Sequence, residues 1–299
     1  MTVNEAYEGQ PADELYQQAV HLMKEFAESK GSPFFSKLVD QFSTVTRTFS
    51  SPDYLPQDSD NQSQRTDDMV GGFPYTSKSY PWPKMPVSDL PMQPIVQLNL
   101  GTVGKILGTD FGTELLQVWG PVAPTMRELS VDIKHFMLRL IPLDALAEAP
   151  SDFLPDWRSA STGSCKTAFH MEIADDEPAA GNPRLQWGQP LPMFGSMQHL
   201  LEMAWSDHAI EAEEMGKDEL IDVSIEFIDY LDPSGLTVVR NPAYIGGFGG
   251  QDGGEYDPSY GDDLLFRFSD GNGFFFAIKW TRGAKHGLKF QPAFTIRAL

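Results

Sequence analysis

His170-Met-Glu172 has the spacing of the histidine and glutamate of a zinc deaminase, where bound zinc activates water and the glutamate moves protons. That chemistry also needs a downstream Pro-Cys-x-x-Cys, and the one cysteine, Cys165, lies upstream. On a strand His170 and Glu172 share a face, so a two-ligand metal site is geometrically open, but a hydrogen-bonded polar pair is the simpler reading. His199 and His208 lie on one expected helix, nine residues apart and pointing in opposite directions, so they cannot share a metal. His208 falls beside the apolar stripe at Ala204 and reads as a packing histidine. The glycine-dense stretch Gly246–Gly254 lacks both the Gly-Lys-Ser/Thr of a phosphate loop and the Gly-x-Gly-x-x-Gly of a dinucleotide site. Ser164, in Thr162-Gly-Ser-Cys, lacks the nucleophile elbow. Asp58-Ser-Asp60 opens like a calcium loop, but Met69 stands where the closing glutamate belongs. Asp67-Asp68, Asp175-Asp176 and Asp262-Asp263 are paired carboxylates whose adjacency alone makes no acid/base couple. The residues therefore predict no catalytic group, no metal site and no cofactor.

What remains is charge. Forty-two acidic residues against 22 Lys and Arg leave a net charge of -20 over 299 residues. Such a chain is repelled by nucleic acid and by anionic membranes. It attracts a basic protein and speeds encounter with it, although acidity also serves solubility alone. The acidic, glycine-rich loop near the C-terminus is the expected partner-binding surface, through Asp252, Glu255, Asp257, Tyr260, Asp262 and Asp263. A single cysteine rules out an internal disulfide. No signal peptide is visible at the N-terminus and no apolar run reaches the roughly 18 residues of a membrane span, so a cytoplasmic location is expected.

The elements that would carry these residues follow from periodicity. Leu15, Ala19, Leu22, Met23 and Phe26 predict a helix closed at Gly31. A second helix is expected with Phe34, Leu38, Phe42, Val45 and Phe49 on one stripe, giving an N-terminal hairpin over residues 1–50. Residues 51–68 read as a linker loop. Gly71-Gly72 and the prolines at 74, 81, 83, 86, 91 and 94 predict a stiff, extended crossing that Trp82 and Tyr80 fold onto the core. Strands are expected at 95–100, 115–119, 129–141 and 165–173. A helix capped by Ser196 should run to Met215, and Ile221, Val223, Ile225 and Phe227 alternate as a half-buried strand with a return at 236–239. Leu264–Phe268 and Phe274–Trp280 predict a hairpin, with a last strand at 290–296.

Gly246-Gly247-Phe248 echoes Gly71-Gly72-Phe73, and in both places a long loop leads to an apolar strand. With Gly71-Gly-Phe-Pro74, Trp82-Pro83, Val96-Gln97-Leu98, Leu116-Gln117-Val-Trp119, Gly246-Gly247, Leu264-Leu265, Asp270-Gly271 and Phe274–Phe276, the chain resembles the YwqG-like family of bacterial proteins of unknown function. The resemblance covers residues 69–122 and 245–280; Gly249 stands where the family has a proline. It implies a mixed sheet fold rather than a reaction, and its toxin–antitoxin neighbourhoods suggest an immunity role. The expected fold is α+β: the helical hairpin, then a largely antiparallel β core from 69–299 built of two degenerate, related halves. The expected function is a non-catalytic, immunity-type binding protein that neutralises a basic toxin through acidic loops. A small-molecule binder or enzyme with a pocket between the two halves is the alternative.

Overall fold

The computed structural model describes residues 12–58, 61–85, 89–120, 136–152, 183–231, 243–248, 263–269, 274–283 and 287–296. The fold is α+β, with two six-stranded sheets among the described residues and N-terminal helices that precede the strands. The chain divides into two compact units, one of residues 1–51, 188–268 and 276–291, the other of 52–187, 269–275 and 292–299.

In the first unit, helix α1 (Ala12–Lys30) buries Leu15, Ala19, Met23, Phe26 and Ala27, a stripe at helical spacing. Gly31 closes it at φ 64°, a left-handed conformation that costs glycine nothing. Helix α2 (Pro33–Thr44) starts at Ser32, whose hydroxyl accepts the Phe35 N–H at 3.2 Å, with Pro33 in the first turn. Its buried stripe is Phe35, Leu38, Val39 and Phe42. The expected continuation through Val45 to Phe49 does not occur. The run Thr44-Val-Thr46-Arg-Thr48 is rich in β-branched residues, which favour extended backbone. Strand β1 (Thr46–Ser50) takes over and still buries Phe49. Residues 51–68, expected as a loop, carry β2 (Pro52–Leu55) and a 3-10 turn (Gln62–Thr66) in the second unit.

The second unit continues with β3 (Met69–Val70), β4 (Gln93–Asn99), helix α3 (Leu100–Leu107), β5 (Leu115–Gly120), β6 (Met137–Ile141) and β7 (Arg184–Trp187). Its sheet order is β2-β7-β3-β4-β5-β6. Helix α3 was not expected; the strand ends at Asn99, whose side chain accepts the Thr102 N–H and turns the chain into a helix. The proline-rich crossing folds back as expected. Trp82 is buried edge-on against Trp119, centroids 5.0 Å apart, and its indole N–H donates to the Met92 carbonyl at 2.8 Å.

The first unit resumes with β8 (Leu191–Phe194), α4 (Met197–Asp207), α5 (Ala209–Met215), α6 (Lys217–Leu231), β9 (Ala243–Gly246), and β10 (Leu264–Ser269), β11 (Phe274–Gly283) and β12 (Gly287–Ile296) apart from residues 269, 274–275 and 292–296, which belong to the second unit. Its sheet order is β12-β11-β10-β9-β1-β8. The helices share a core with residues from this sheet, including Phe49, Met193, Phe194, Tyr244 and Leu264. Ser196 caps α4 as expected, but the helix breaks at His208 and restarts. The expected strand at 221–227 is a helix. Leu220, Ser224, Phe227 and Leu231 are its buried residues, recurring at the three- and four-residue spacing of a helix face, while Ile225 is 42% exposed. The strands at 264–268, 274–280 and 290–296 are present within β10 to β12. Residues 165–173 and 236–239, and the start of the strand at 129–141, lie outside the described residues.

The two sheets share one plan. In each, four strands run in chain order away from a Gly-Gly pair, β3 to β6 in one and β9 to β12 in the other. Gly71, Gly72, Gly246 and Gly247 all have φ between 64° and 71°. The residue two before each pair faces an equivalent partner, Met69 opposite Gln97 and Tyr244 opposite Arg267. Gln97 and Arg267 are both buried. The sequence echo is thus a repeated backbone path with different polar groups at matching positions.

Candidate functional site

Of the loop residues expected to bind a partner, Asp252, Glu255, Asp257, Tyr260 and Asp262 lie outside the described residues, as do His170, Glu172 and Cys165. Asp263 is described. It is exposed, 3.5 Å from Arg47, and its carbonyl accepts the Trp280 N–H at 2.9 Å. Among the described residues no group of three or more His, Cys, Asp or Glu could hold a metal. His199 sits in the first turn of α4 with its ring 5.3 Å from that of Phe248 and 6.2 Å from that of Phe42. Burial pushes its pKa down, so it packs as a neutral imidazole. His208 contacts Gln41 at 2.9 Å and the Phe34 ring edge-on. No helix among the described residues is long and apolar enough to cross a membrane.

The concentration of described charge lies elsewhere, on α4 to α6. Residues 197–231 hold ten acidic side chains against one lysine, close to half of the chain's net charge of -20. Packing explains why they are outside: the core takes Leu200, Met203, Ala204, Ala212, Leu220, Phe227 and Leu231, which leaves the opposite helix faces to water. Those faces also expose large apolar groups, with Trp205 at 37%, Ile210 at 73% and Tyr230 at 43%. A groove of 810 Å³ is lined by Gln198, Leu201, Glu202, Trp205, Ser206, Lys217 and Ile221. This surface exists because residues 217–231 form a helix and not the strand expected at 221–227. The helical recurrence of Asp218, Asp222, Glu226 and Asp229 was the signal that could have revealed it.

The second unit holds a pocket of 380 Å³ whose walls include Thr66, Asp67, Asp68, Asn99, Arg184 and Trp187. Asp68, immediately before β3, is 5% exposed. The Asn99 N–H, at the junction of β4 and α3, donates to one of its oxygens. The Trp187 indole N–H, at the end of β7, donates to the other at 2.5 Å. Arg184 turns instead to Asp67, at 2.7 Å. Burial outweighs both hydrogen bonds and raises the Asp68 pKa from 3.8 to about 7. Sequence adjacency flagged Asp67-Asp68 but could not show that only one of the two is buried without a cation.

This burial has a measurable sign. Between about pH 4 and pH 7 the folded protein keeps a proton on Asp68 that the unfolded chain has released, so stability falls as pH rises through that window. In Asp68→Asn that contribution to the pH slope, roughly 4 kcal/mol in all, is expected to vanish. Urea unfolding of both proteins at several pH values reads the difference in slope, separately from any constant cost of the lost acceptor. Identical slopes would mean that Asp68 is ionised throughout. Compared with protein-family models, with curated proteins and with solved structures, the chain matches none.

Proposed function

We propose that this is a non-catalytic binding protein whose acidic surface captures a basic protein, acting in the cytoplasm. The observation that carries this reading is the charge on α4 to α6: ten carboxylates and one lysine on helices whose outer faces also expose tryptophan and isoleucine. Solubility alone needs dispersed charge. It does not call for exposed aromatic and aliphatic groups within the same acidic face, whereas protein interfaces combine apolar anchors with a charged rim. The resemblance to the YwqG-like family makes a bacterial toxin the partner to try first, so the specific proposal is an immunity-type protein that covers a basic toxin.

The test is co-expression with a basic toxin encoded beside the gene, together with a binding measurement at low and high salt. Protection of the cell, and an affinity that drops steeply with salt, are the expected results. The reading fails if basic proteins are retained no better than neutral ones at low salt. A second reading, a small-molecule binder or enzyme, draws on the Asp68 pocket, because a carboxyl that titrates near neutrality can both accept and donate a proton. A thermal-shift screen of metabolites, with Asp68→Asn as the control, separates the two readings.

A further inference from the structure

We infer that the groove between α4 and α6 is the seat of one amphipathic, basic helix supplied by the partner. The inference rests on the basic-partner reading above and adds the shape and position of the contact. Leu201, Trp205 and Ile221 supply the groove's apolar surface. Ile225, one turn beyond Ile221 and 42% exposed, extends the apolar stripe along α6. Directly beside that stripe run Asp218, Asp222, Glu226 and Asp229. At 100° per residue these four fall within about 80° of one another and form a continuous acidic rail. Lys30 already pairs with Glu226. Among the described residues Asp218, Asp222 and Asp229 have no ion pair.

Charge complementarity decides the occupant. A second copy of this chain brings its own net charge of -20 and is repelled. A nucleic acid or an anionic lipid surface is repelled for the same reason. A helix with leucine-like residues at i, i+3, i+4 and i+7 and with lysine or arginine beside them satisfies both halves of the surface at once. Helix α6 has 15 residues, about 22 Å at the usual rise, so it offers a partner helix roughly four turns of contact. The groove volume of 810 Å³ suits several anchor side chains in a row rather than one.

The probe is a fluorescently labelled synthetic peptide of leucine and lysine in helical register, compared with a scrambled peptide of the same composition. Anisotropy titrations with the full-length protein should give the amphipathic peptide an affinity about tenfold higher or more, equivalent to roughly 1.4 kcal/mol. Trp205→Ala and the double variant Asp218→Lys/Asp222→Lys should each remove most of that advantage, and only the second should also flatten the salt dependence. These side chains are exposed, so the variants fold; circular dichroism verifies it. Glu14→Lys, on an exposed part of α1, should leave the affinity near that of the unchanged protein. Equal binding of the two peptides, or full affinity in Trp205→Ala, would overturn the groove while leaving capture of a basic protein intact. If neither peptide nor any basic protein binds at low salt, both readings fall.

Discussion

Gln97→Leu is expected to destabilise the protein by roughly 3–6 kcal/mol, although leucine nearly matches glutamine in volume. The amide of Gln97 is fully buried. Its oxygen accepts the Tyr75 N–H at 3.0 Å and the Gln117 amide at 2.6 Å. Its nitrogen donates to the carbonyls of Arg65 and Asp67, both at 2.8 Å. Leucine satisfies none of them. Each group left buried without a partner costs on the order of 1–3 kcal/mol, and two or three are stranded at once. The network extends further: Gln117, directly opposite on β5, accepts from Arg139 at 2.7 Å and from the Trp119 indole at 3.2 Å. Denaturant unfolding measures the loss, with the partly exposed Gln198→Leu as a reference expected to change little. A loss below about 1 kcal/mol would mean that water replaces the amide and that the network contributes little.

Phe227→Ala is expected to cost about 3–5 kcal/mol, and Ile225→Ala well under 1 kcal/mol. Phe227 is fully buried among Phe26, Phe35 and Phe42, with ring centroids 5.4, 5.8 and 5.6 Å away. Truncation opens a cavity where α1, α2 and α6 converge, and those helices cannot close it without moving as bodies. Ile225 faces water. A strand at 221–227 would place both residues on one buried face and make both substitutions expensive. Comparable costs at the two positions would contradict the helix.

The same segment explains where reading by periodicity succeeds and fails. Ile221, Val223, Ile225 and Phe227 satisfy an alternation, and Leu220, Ser224, Phe227 and Leu231 satisfy a helical repeat; both patterns are in the letters. The difference is made by the aromatic cluster of α1 and α2, which accepts one face of a helix. Phe49 presents the reverse case. It continues a helical stripe on paper, yet it is buried from a strand paired with β8 and β9. The groove between α4 and α6 has the same origin, since Lys217 and Ile221 come together in its lining only when the segment is helical.

Local chemistry was sufficient for several features. Ser32 and Ser196 cap helices because their hydroxyls reach N–H groups within the next turn. Gly31 ends a helix, and the two Gly-Gly pairs mark repeated turns, because few other residues tolerate a positive φ. Trp82 folds the proline-rich crossing onto the sheet because a ring of that size is costly to leave in water. The excess of carboxylates follows from composition alone. Contacts distant in sequence decided the rest: which period residues 217–231 follow, which of two adjacent aspartates loses its water, and which carboxylates fall beside Ile225 on α6. Those outcomes depend on what packs against each segment, and the burial that selects them exists only once the chain has folded.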